Sequence, residues 1–279
     1  MKRIPSKEIL SILSGLEGDV GLYIEDTQTK ETFTINPGRV FPSASVIKLP
    51  LLALLLEDAQ RGRVDLESPI GIAPENRVGG TGILSEMPEN ITLPLSCYAK
   101  LMIILSDNAA TNTVIDAVEM GRLNAFCRER GMPDTRLQRK MMDFDALARG
   151  FNNYTSAADI GKMLGLLAEG KWETPQLSSA IVGCLASQQL RSKLPALIPA
   201  QPIYTITEDR SVPPAGKVYV ANKTGELPGI QHDVGIFTLP DRRRYVIAML
   251  TSGLSEDRAG IEAIGKVSLA VYRAMEPGE

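Results

Sequence analysis

The sequence is poor in the side chains that most often hold metals and cross-links. Its 279 residues include one histidine, His232, and three cysteines. Cys97, Cys127 and Cys184 are far apart in apolar helical contexts, which predicts buried thiols instead of a disulfide framework or a metal cluster. Because a histidine-based metal site needs more than one histidine, we expect no such site. We expect His232 to be a surface or hydrogen-bonded structural residue. The sequence therefore predicts neither a metal nor a cofactor.

Long apolar runs and a surplus of charge are also missing. No stretch approaches the roughly 18 consecutive apolar residues of a membrane-spanning helix. The net charge of −3 gives no electrostatic reason to expect binding to nucleic acid or to an anionic membrane. Residues 1–3 are basic, but a polar stretch follows where a signal peptide has its apolar core. We expect a cytoplasmic protein if the chain is full length, and a periplasmic or secreted one if a leader was removed.

What the chain does contain is the composition of a soluble globular protein, with 44% hydrophobic and 23% charged residues. Its length permits one large domain or two interleaved lobes. Apolar periodicity predicts helices over residues 6–16, 45–56, 95–105, 109–118, 122–130, 156–169, 177–190 and 256–275. Stretches rich in β-branched and aromatic residues predict strands over residues 20–25, 31–35, 217–221, 232–238 and 244–252.

Strands near both ends with helices between them predict an α+β fold. We expect one five-stranded antiparallel sheet flanked by helices, with an all-helical lobe inserted between its two halves. Residues 1–42 and 217–279 form the sheet lobe in this prediction, and residues 43–216 form the helical lobe with a connector. The connector, residues 193–216, contains five prolines, and the active site is expected between the lobes.

The segment Ser45-Val46-Ile47-Lys48 begins the most apolar of the predicted helices. Residues three apart share a helix face, so the Lys48 amine is expected within hydrogen-bond reach of the Ser45 hydroxyl. The free N–H groups and the dipole at a helix N-terminus favour developing negative charge. A serine beside a desolvated lysine is a nucleophile with its own base. Ser-x-x-Lys alone is a common pattern and needs further support.

Two further polar motifs follow in the chain. Ser106-Asp107-Asn108 stands at the end of a buried apolar helix, where small polar side chains need hydrogen-bond partners or belong to a site. Lys223-Thr224-Gly225 follows a predicted strand, where glycine lets a backbone or a ligand approach closely. Ser-x-x-Lys, Ser-Asp-Asn and Lys-Thr-Gly in this order are the motif set of class A β-lactamases and penicillin-binding proteins.

The sequence resembles class A β-lactamases over nearly its whole length. The further matches are residues 80–84, 106–112 and 136–139, and Lys223-Thr224-Gly225-Glu226 followed by residues 233–236. The resemblance implies a β-lactamase/DD-peptidase-like fold. It also implies that Ser45 is the acylated nucleophile, that Lys48 accepts or relays its proton, and that Ser106 passes a proton toward the leaving nitrogen.

The same resemblance implies how a substrate is held. Asn108 binds the side-chain amide of the substrate, while Lys223 and Thr224 bind its carboxylate and Gly225 leaves room for it. The backbone N–H groups of Ser45 and Glu226 form the oxyanion hole, where donors are fixed at the position of developing charge.

One position departs from the family pattern Arg-x-x-Arg-x-Glu, in which the glutamate activates the deacylating water. The stretch from Arg136 to Met141 has both arginines, but Met141 stands at the place of the glutamate, and a thioether is not a general base. Asp143 and Asp145 are the nearest carboxylates. We therefore expect complete acylation machinery, with deacylation machinery absent or moved along the loop.

Three functions remain open at this point. The first is a serine acyl-hydrolase of the β-lactamase type, and the second is a penicillin-binding DD-peptidase, esterase or acyltransferase that releases its acyl group slowly. The third is a non-catalytic binding protein, against which the intact Ser45, Lys48 and Ser106 argue. The expected ligand is a small β-lactam or an acyl-D-amino-acid-like compound, without nucleic acid and without a membrane span, and a monomer is favoured.

Overall fold

The computed structural model describes residues 4–199 and 216–276. Its α-helices are α1 Ser6–Leu13, α2 Lys48–Gln60, α3 Leu95–Ile104, α4 Asn108–Val118, α5 Met120–Glu129, α6 Phe144–Ala148, α7 Ala157–Ala168, α8 Pro175–Ala186 and α9 Asp257–Met275. Its strands are β1 Asp19–Asp26, β2 Thr32–Ile35, β3 Val40–Pro42, β4 Pro69–Gly71, β5 Thr92–Pro94, β6 Tyr154–Ser156, β7 Tyr219–Leu227, β8 Ile230–Thr238 and β9 Arg244–Ser252. No helix among these residues is long and apolar enough to cross a membrane.

The main sheet has five antiparallel strands in the order β2-β1-β9-β8-β7. β1 pairs directly with β9, with Leu22 opposite Met249, so the prediction of one sheet built from both ends of the chain is confirmed. β7 is longer than predicted, because a tight hairpin places Leu227 opposite Ile230 and extends the ladder. Lys223-Thr224-Gly225 therefore lies inside β7, and the prediction that it follows a strand is wrong.

Helices cover both faces of this sheet. α1 and α9 pack together, and α9 contacts β8 and β9, while α7 contacts β1 and β9 and α8 contacts β7. Glycine makes the α7 contact close, because a Cβ on Gly161 would lie 2.2 Å from the Tyr23 ring. The core between the sheet and α1 and α9 includes fully buried Ile9, Leu22 and Ile264.

The chain divides into two compact units. One unit contains the residues up to Val46 together with those from Ser156 on, and the other is Ile47–Thr155. The predicted helical lobe reached residue 216, whereas α7 and α8 pack on the sheet because their apolar faces cover its strands. Residues 200–215 of the predicted connector lie outside the described residues.

In the helical unit, α2 contacts α3, α4 and α5. Nearly all of its side chains are buried, from Lys48 to Asp58 with the exception of Leu56, as its continuous apolar sequence predicts. The turn before it, Ala44–Ile47, is a 3₁₀ helix, so Ser45 lies one turn before the α-helix and not inside it.

Candidate active site

Ser45 lies at a sharp change of chain direction. Ala44 has a φ of +44°, in the left-handed region that residues with a Cβ rarely occupy. This conformation separates the extended residues of β3 from the 3₁₀ turn Ala44–Ile47. Ser45 is half-buried there. Strained backbone of this kind costs roughly 1–3 kcal/mol and clusters at functional sites.

The Ser45 segment lies against Gly225 of β7. A Cβ on Gly225 would be 3.2 Å from the Cβ of Ala44 and 3.2 Å from Cγ2 of Val46, tighter than an ordinary van der Waals contact. Any side chain at position 225 would thus push the residues on either side of Ser45 away from β7. The absence of a side chain at Gly225 lets the Lys-Thr-Gly motif lie next to the Ser45 segment.

His232 provides a second link between the sheet and this segment. Its imidazole is fully buried, with Nε2 2.8 Å from the Pro42 carbonyl oxygen. The Thr251 N–H donates to Nδ1 at 3.1 Å, so the ring hydrogen is on Nε2 and is donated to Pro42. Burial lowers the pKa of His232 to about 4, which keeps the ring neutral. The prediction of a hydrogen-bonded structural histidine is confirmed.

Lys223 is the cation of the third motif and is fully buried in β7. Its Nζ donates to the Thr224 carbonyl oxygen at 2.8 Å. Burial lowers the pKa of Lys223 to about 7; Asp233 opposes this shift and Lys193 adds to it. Asp233 is buried too, and burial raises its pKa to about 6 against the hydrogen bonds from Asn222 and Leu194. The sheet unit thus has ionisable groups that titrate near neutral pH.

Lys193 is a second buried cation beside the motif. Its Nζ donates to the carbonyl oxygens of Gly225 and His232, both at 3.2 Å, and forms an ion pair of 2.9 Å with Glu226. Burial lowers the pKa of Lys193, while Glu226 opposes the shift. Lys193 therefore fastens β7 at the residues on which the predicted oxyanion hole depends.

In the helical unit, Lys48 lies at the centre of a buried polar cluster. Its Nζ is 2.6 Å from the Ser106 carbonyl oxygen, 3.2 Å from Ser106 Oγ and 2.9 Å from Asn108 Oδ1. The Lys48 side chain is fully buried, so these acceptors fix the position of its amine. The contact with Ser106 Oγ permits a proton to pass between amine and hydroxyl.

The chain around Ser106 is itself held in a strained conformation. Ser106 has a φ of +55°, and its carbonyl oxygen also accepts a hydrogen bond of 2.6 Å from Thr81 Oγ1. The next residue, Asp107, caps α4 by accepting from the Ala110 N–H at 2.8 Å. N-terminal caps of this kind stabilise a helix by about 1 kcal/mol.

The glycines at positions 80 and 82 let a loop close onto this motif. A Cβ on Gly82 would lie 2.2 Å from Asp107 Oδ2, and one on Gly80 would lie 2.7 Å from Asn108 Nδ2. Both glycines have positive φ. Asp107 Oδ2 accepts from the Ile83 N–H at 2.7 Å, so the loop and the motif form one hydrogen-bonded structure.

Met141 is held by Asn112 of α4. Asn112 Oδ1 accepts from the Met141 N–H at 2.7 Å, and Asn112 Nδ2 donates to the Met141 carbonyl oxygen at 3.2 Å. Both residues are buried. The side-chain amide thus binds the main chain at position 141 in the way a neighbouring strand would, whichever side chain that position has.

Asn153 closes the loop that contains Met141. Its Oδ1 accepts from the N–H groups of Gln138 and Arg139 at 2.8 and 3.1 Å, and Arg136 exchanges two backbone hydrogen bonds with Tyr154. Asp143 and Asp145 are the two carboxylates considered as alternative bases. Asp143 caps α6 through the Ala146 N–H at 2.8 Å, and Asp145 is exposed.

Sequence reasoning found the motif residues but missed much of what holds them. Lys193 lies in the predicted connector, and nothing in its sequence context distinguishes it from a surface lysine. Asn112 belongs to the stretch that matches the family, yet its bond to Met141 depends on residues 29 positions away. His232 was noticed only as the single histidine.

Comparisons with known proteins agree on one family. The sequence matches the model of the β-lactamase enzyme family over residues 4–275. β-Lactamase PSE-4 of Pseudomonas aeruginosa is 28% identical over 206 residues, covering 68% of each chain. A β-lactamase structure from Sphaerobacter thermophilus DSM 20745 has a TM-score of 0.84 and 28% identity over 98% of both chains. The structure of PBP-A has a TM-score of 0.82 and 26% identity, covering 96% of this chain and 94% of that one. The chain therefore belongs to the β-lactamase enzyme family.

Proposed function

We propose that this protein hydrolyses β-lactam amides through an acyl-enzyme on Ser45, and that release of the acyl group is the slow step. The observation that supports this most directly is the buried contact between Lys48 Nζ and Ser106 Oγ. In this proposal Lys48, three residues after Ser45 in the chain, is the base for Ser45. The Ser106 hydroxyl then passes the proton to the leaving nitrogen. The names of relatives such as PSE-4 support the same substrate class.

In the acylation step, Ser45 Oγ attacks the carbonyl carbon of the lactam and its proton moves to the neutral amine of Lys48. The C–N bond of the ring then breaks. The leaving nitrogen takes a proton from Ser106 Oγ, and Ser106 is reprotonated by Lys48, from which it is 3.2 Å away. The step ends with an ester on Ser45, a ring-opened amine and a neutral Lys48, so protons balance.

In this proposal the second and third motifs hold the substrate. Its carboxylate is bound by the Lys223 ammonium and the Thr224 hydroxyl, and its side-chain amide is bound by Asn108. The backbone N–H groups of Ser45 and Glu226 stabilise the oxyanion. Among the described residues β7 is an edge strand of the sheet, and the Lys193 ion pair holds Glu226 in place.

In this proposal, deacylation proceeds without the glutamate that deprotonates water in the family pattern. The loop position that has glutamate in the family pattern is Met141, which is buried and fixed by Asn112. General-base assistance is typically worth about 10²–10⁴-fold in rate. A step deprived of it leaves a long-lived ester on Ser45.

A transferase or esterase of the penicillin-binding type is the second candidate, and Met141 is the observation that favours it. A leucine-to-glutamate variant of PBP-A has been captured as an acyl-enzyme complex with penicillin G. In a transferase the acyl group passes to an acceptor other than water, such as an amine of a peptide, whereas an esterase acts on an ester and releases the acyl group to water.

The test follows adduct and product together. We expect intact-mass spectrometry to show one penicillin adduct on the protein, and a chromogenic cephalosporin to give a burst about equal to the enzyme concentration before a slow steady state. Ser45→Ala should abolish both. Absence of an adduct with any penicillin or activated ester would contradict the assignment of the nucleophile. Faster release in the presence of D-amino-acid acceptors would favour the second function.

A further inference from the structure

The sheet unit has an open cavity away from the motif residues. Its volume is about 760 Å³, within the usual range for small-molecule sites. Three segments form it: the turn after β1, the residues that follow α7, and the hairpin between β8 and β9. The cavity is distant from the motif residues along β8. Thr238, which lines the cavity, is five residues from Asp233, the carboxylate that acts on Lys223, and five residues span roughly 17 Å along a strand.

The lining of this cavity is strongly basic. Its charged side chains are Lys30, Lys171, Arg242, Arg243 and Arg244, opposed by Glu169 and Asp241. Five cations against two carboxylates leave three positive charges in excess. The whole chain has a net charge of −3, so this local excess has the opposite sign to that of the protein.

Part of that charge is already paired within the protein. Lys30 forms ion pairs with Glu25 and Glu169, Lys171 pairs with Glu169, and Arg243 pairs with Asp241 at 2.6 Å. Arg244 differs, because its Nη1 donates to the Ala168 carbonyl oxygen at 2.8 Å and no carboxylate of the described residues forms an ion pair with it. A guanidinium has five donors, so Arg244 retains capacity for an anion.

A polar group without a partner supports the same conclusion. Thr238 lines the cavity, and its hydroxyl oxygen is buried with no hydrogen-bond partner among the residues that the structure describes. A buried hydroxyl left unsatisfied costs about 1–3 kcal/mol. An oxygen-rich ligand in the cavity would supply the missing acceptor.

The electrostatics of Arg244 agree with an anion site. Burial lowers the pKa of Arg244; Tyr219 opposes this shift and the nearby Arg242 adds to it. The other charged groups that line the cavity are Glu169, Asp241, Arg243, Lys30 and Lys171, and Glu25 pairs with Lys30 beside it.

We propose that this cavity binds a small compound with two or three linked phosphate groups, at a site separate from the one that contains Ser45. Guanidinium groups match phosphate oxygens in a two-pronged geometry. The excess of positive charge suits a di- or triphosphate, and the volume leaves room for an attached organic group.

The test is calorimetric titration of the full chain with inorganic tripolyphosphate at constant ionic strength. Lys171→Gln removes an exposed cation of the cavity, and Lys162→Gln makes the same charge change on α7 outside it. We expect saturable binding, weakened about tenfold or more by Lys171→Gln and unchanged by Lys162→Gln. Thr238→Val, which replaces the unpartnered hydroxyl with a methyl group, should weaken binding without lowering the melting temperature.

Repeating the titration with a nucleoside triphosphate and with citrate defines the ligand class. Binding of both phosphates but not of citrate supports the proposal, and equal binding of citrate overturns the preference for phosphate. Absence of saturation with tripolyphosphate, or equal weakening by Lys171→Gln and Lys162→Gln, overturns the site itself. Cephalosporin turnover should be the same in wild type and Lys171→Gln.

Discussion

Two asparagines one turn apart on α4 have different tasks. Asn108 binds the amine of Lys48 through its Oδ1 at 2.9 Å, whereas Asn112 binds the N–H and the carbonyl oxygen of Met141. Positions four apart lie on the same helix face. One contact is made to a side chain that takes part in the proposed chemistry, and the other is made to main chain alone.

This difference explains how the side chain that serves deacylation can be absent while the loop around position 141 keeps its hydrogen bonds. Replacing Lys48 would remove the partner of Asn108 and the base together. Replacing the side chain at position 141 leaves both hydrogen bonds of Asn112 intact, since every residue except proline has the same N–H and carbonyl groups. The loop can therefore keep its shape with methionine where the family pattern has glutamate.

The largest expected effect comes from removing the Lys48 amine. Lys48→Met replaces it with an apolar chain of similar length, and adduct formation should slow by about 10⁴-fold, as when a member of a coupled nucleophile–base pair is lost. Rapid-quench mass spectrometry with penicillin measures this rate. Circular dichroism of the variant is the control for folding, and a folded variant acylated at the wild-type rate would show that Lys48 is not the base.

Met141→Glu tests the other contact of α4. Because Asn112 fixes the main chain at this position, the new carboxylate should speed deacylation by about 10²-fold or more while leaving the rate of adduct formation unchanged. The measurement is the steady-state rate after the burst. Met141→Gln, similar in shape but not a base, is the matched control. If both variants accelerate release equally, the gain does not come from proton transfer.

Asn112→Ala should loosen the loop that Met141→Glu relies on. The substitution leaves a buried N–H and a buried carbonyl of Met141 without partners, at a cost of about 2–3 kcal/mol in the free energy of unfolding. Urea denaturation measures the loss, and Asn90→Ala at an exposed position is the control. Combined with Met141→Glu, Asn112→Ala should cancel most of the gain in deacylation. Full retention of the gain would mean that the loop is positioned by other contacts.

The smallest effect is one of pH, and it concerns the sheet unit. The pKa of Lys223 is about 7, so its ammonium is present below that pH and lost above it. The KM of a carboxylate-bearing β-lactam should therefore rise by about tenfold between pH 6 and pH 8 relative to that of an uncharged ester. Lys223→Arg, which stays protonated, should flatten this dependence. An unchanged slope in Lys223→Arg would assign the titration to another group.

The sequence predicted the five-stranded sheet because each strand and its end signals are local. It predicted a set of site residues because three ordered motifs match one family, and the roles of those residues stay predictions. The supporting residues escaped prediction for a physical reason. Lys193, Asn112 and His232 act through hydrogen bonds to backbone groups 19 to 190 positions away, and backbone acceptors leave no signature in the residue type. The extent of β7 was missed because its hairpin with β8, and not its composition, determines where it ends.

The pairing of β1 with β9 also constrains when the sheet can form. Roughly 220 residues separate the two strands. At a synthesis rate of about 5–20 residues per second, β9 is made roughly 10–45 s after β1, and one edge of β1 is unpaired during that time. An unpaired strand edge is prone to association with other chains during that interval. Ile47–Thr155, by contrast, is one continuous stretch whose internal contacts become available before β9 has been made. During folding on the ribosome β1 is therefore present before β9, whereas in refolding of the complete chain both strands are present from the start.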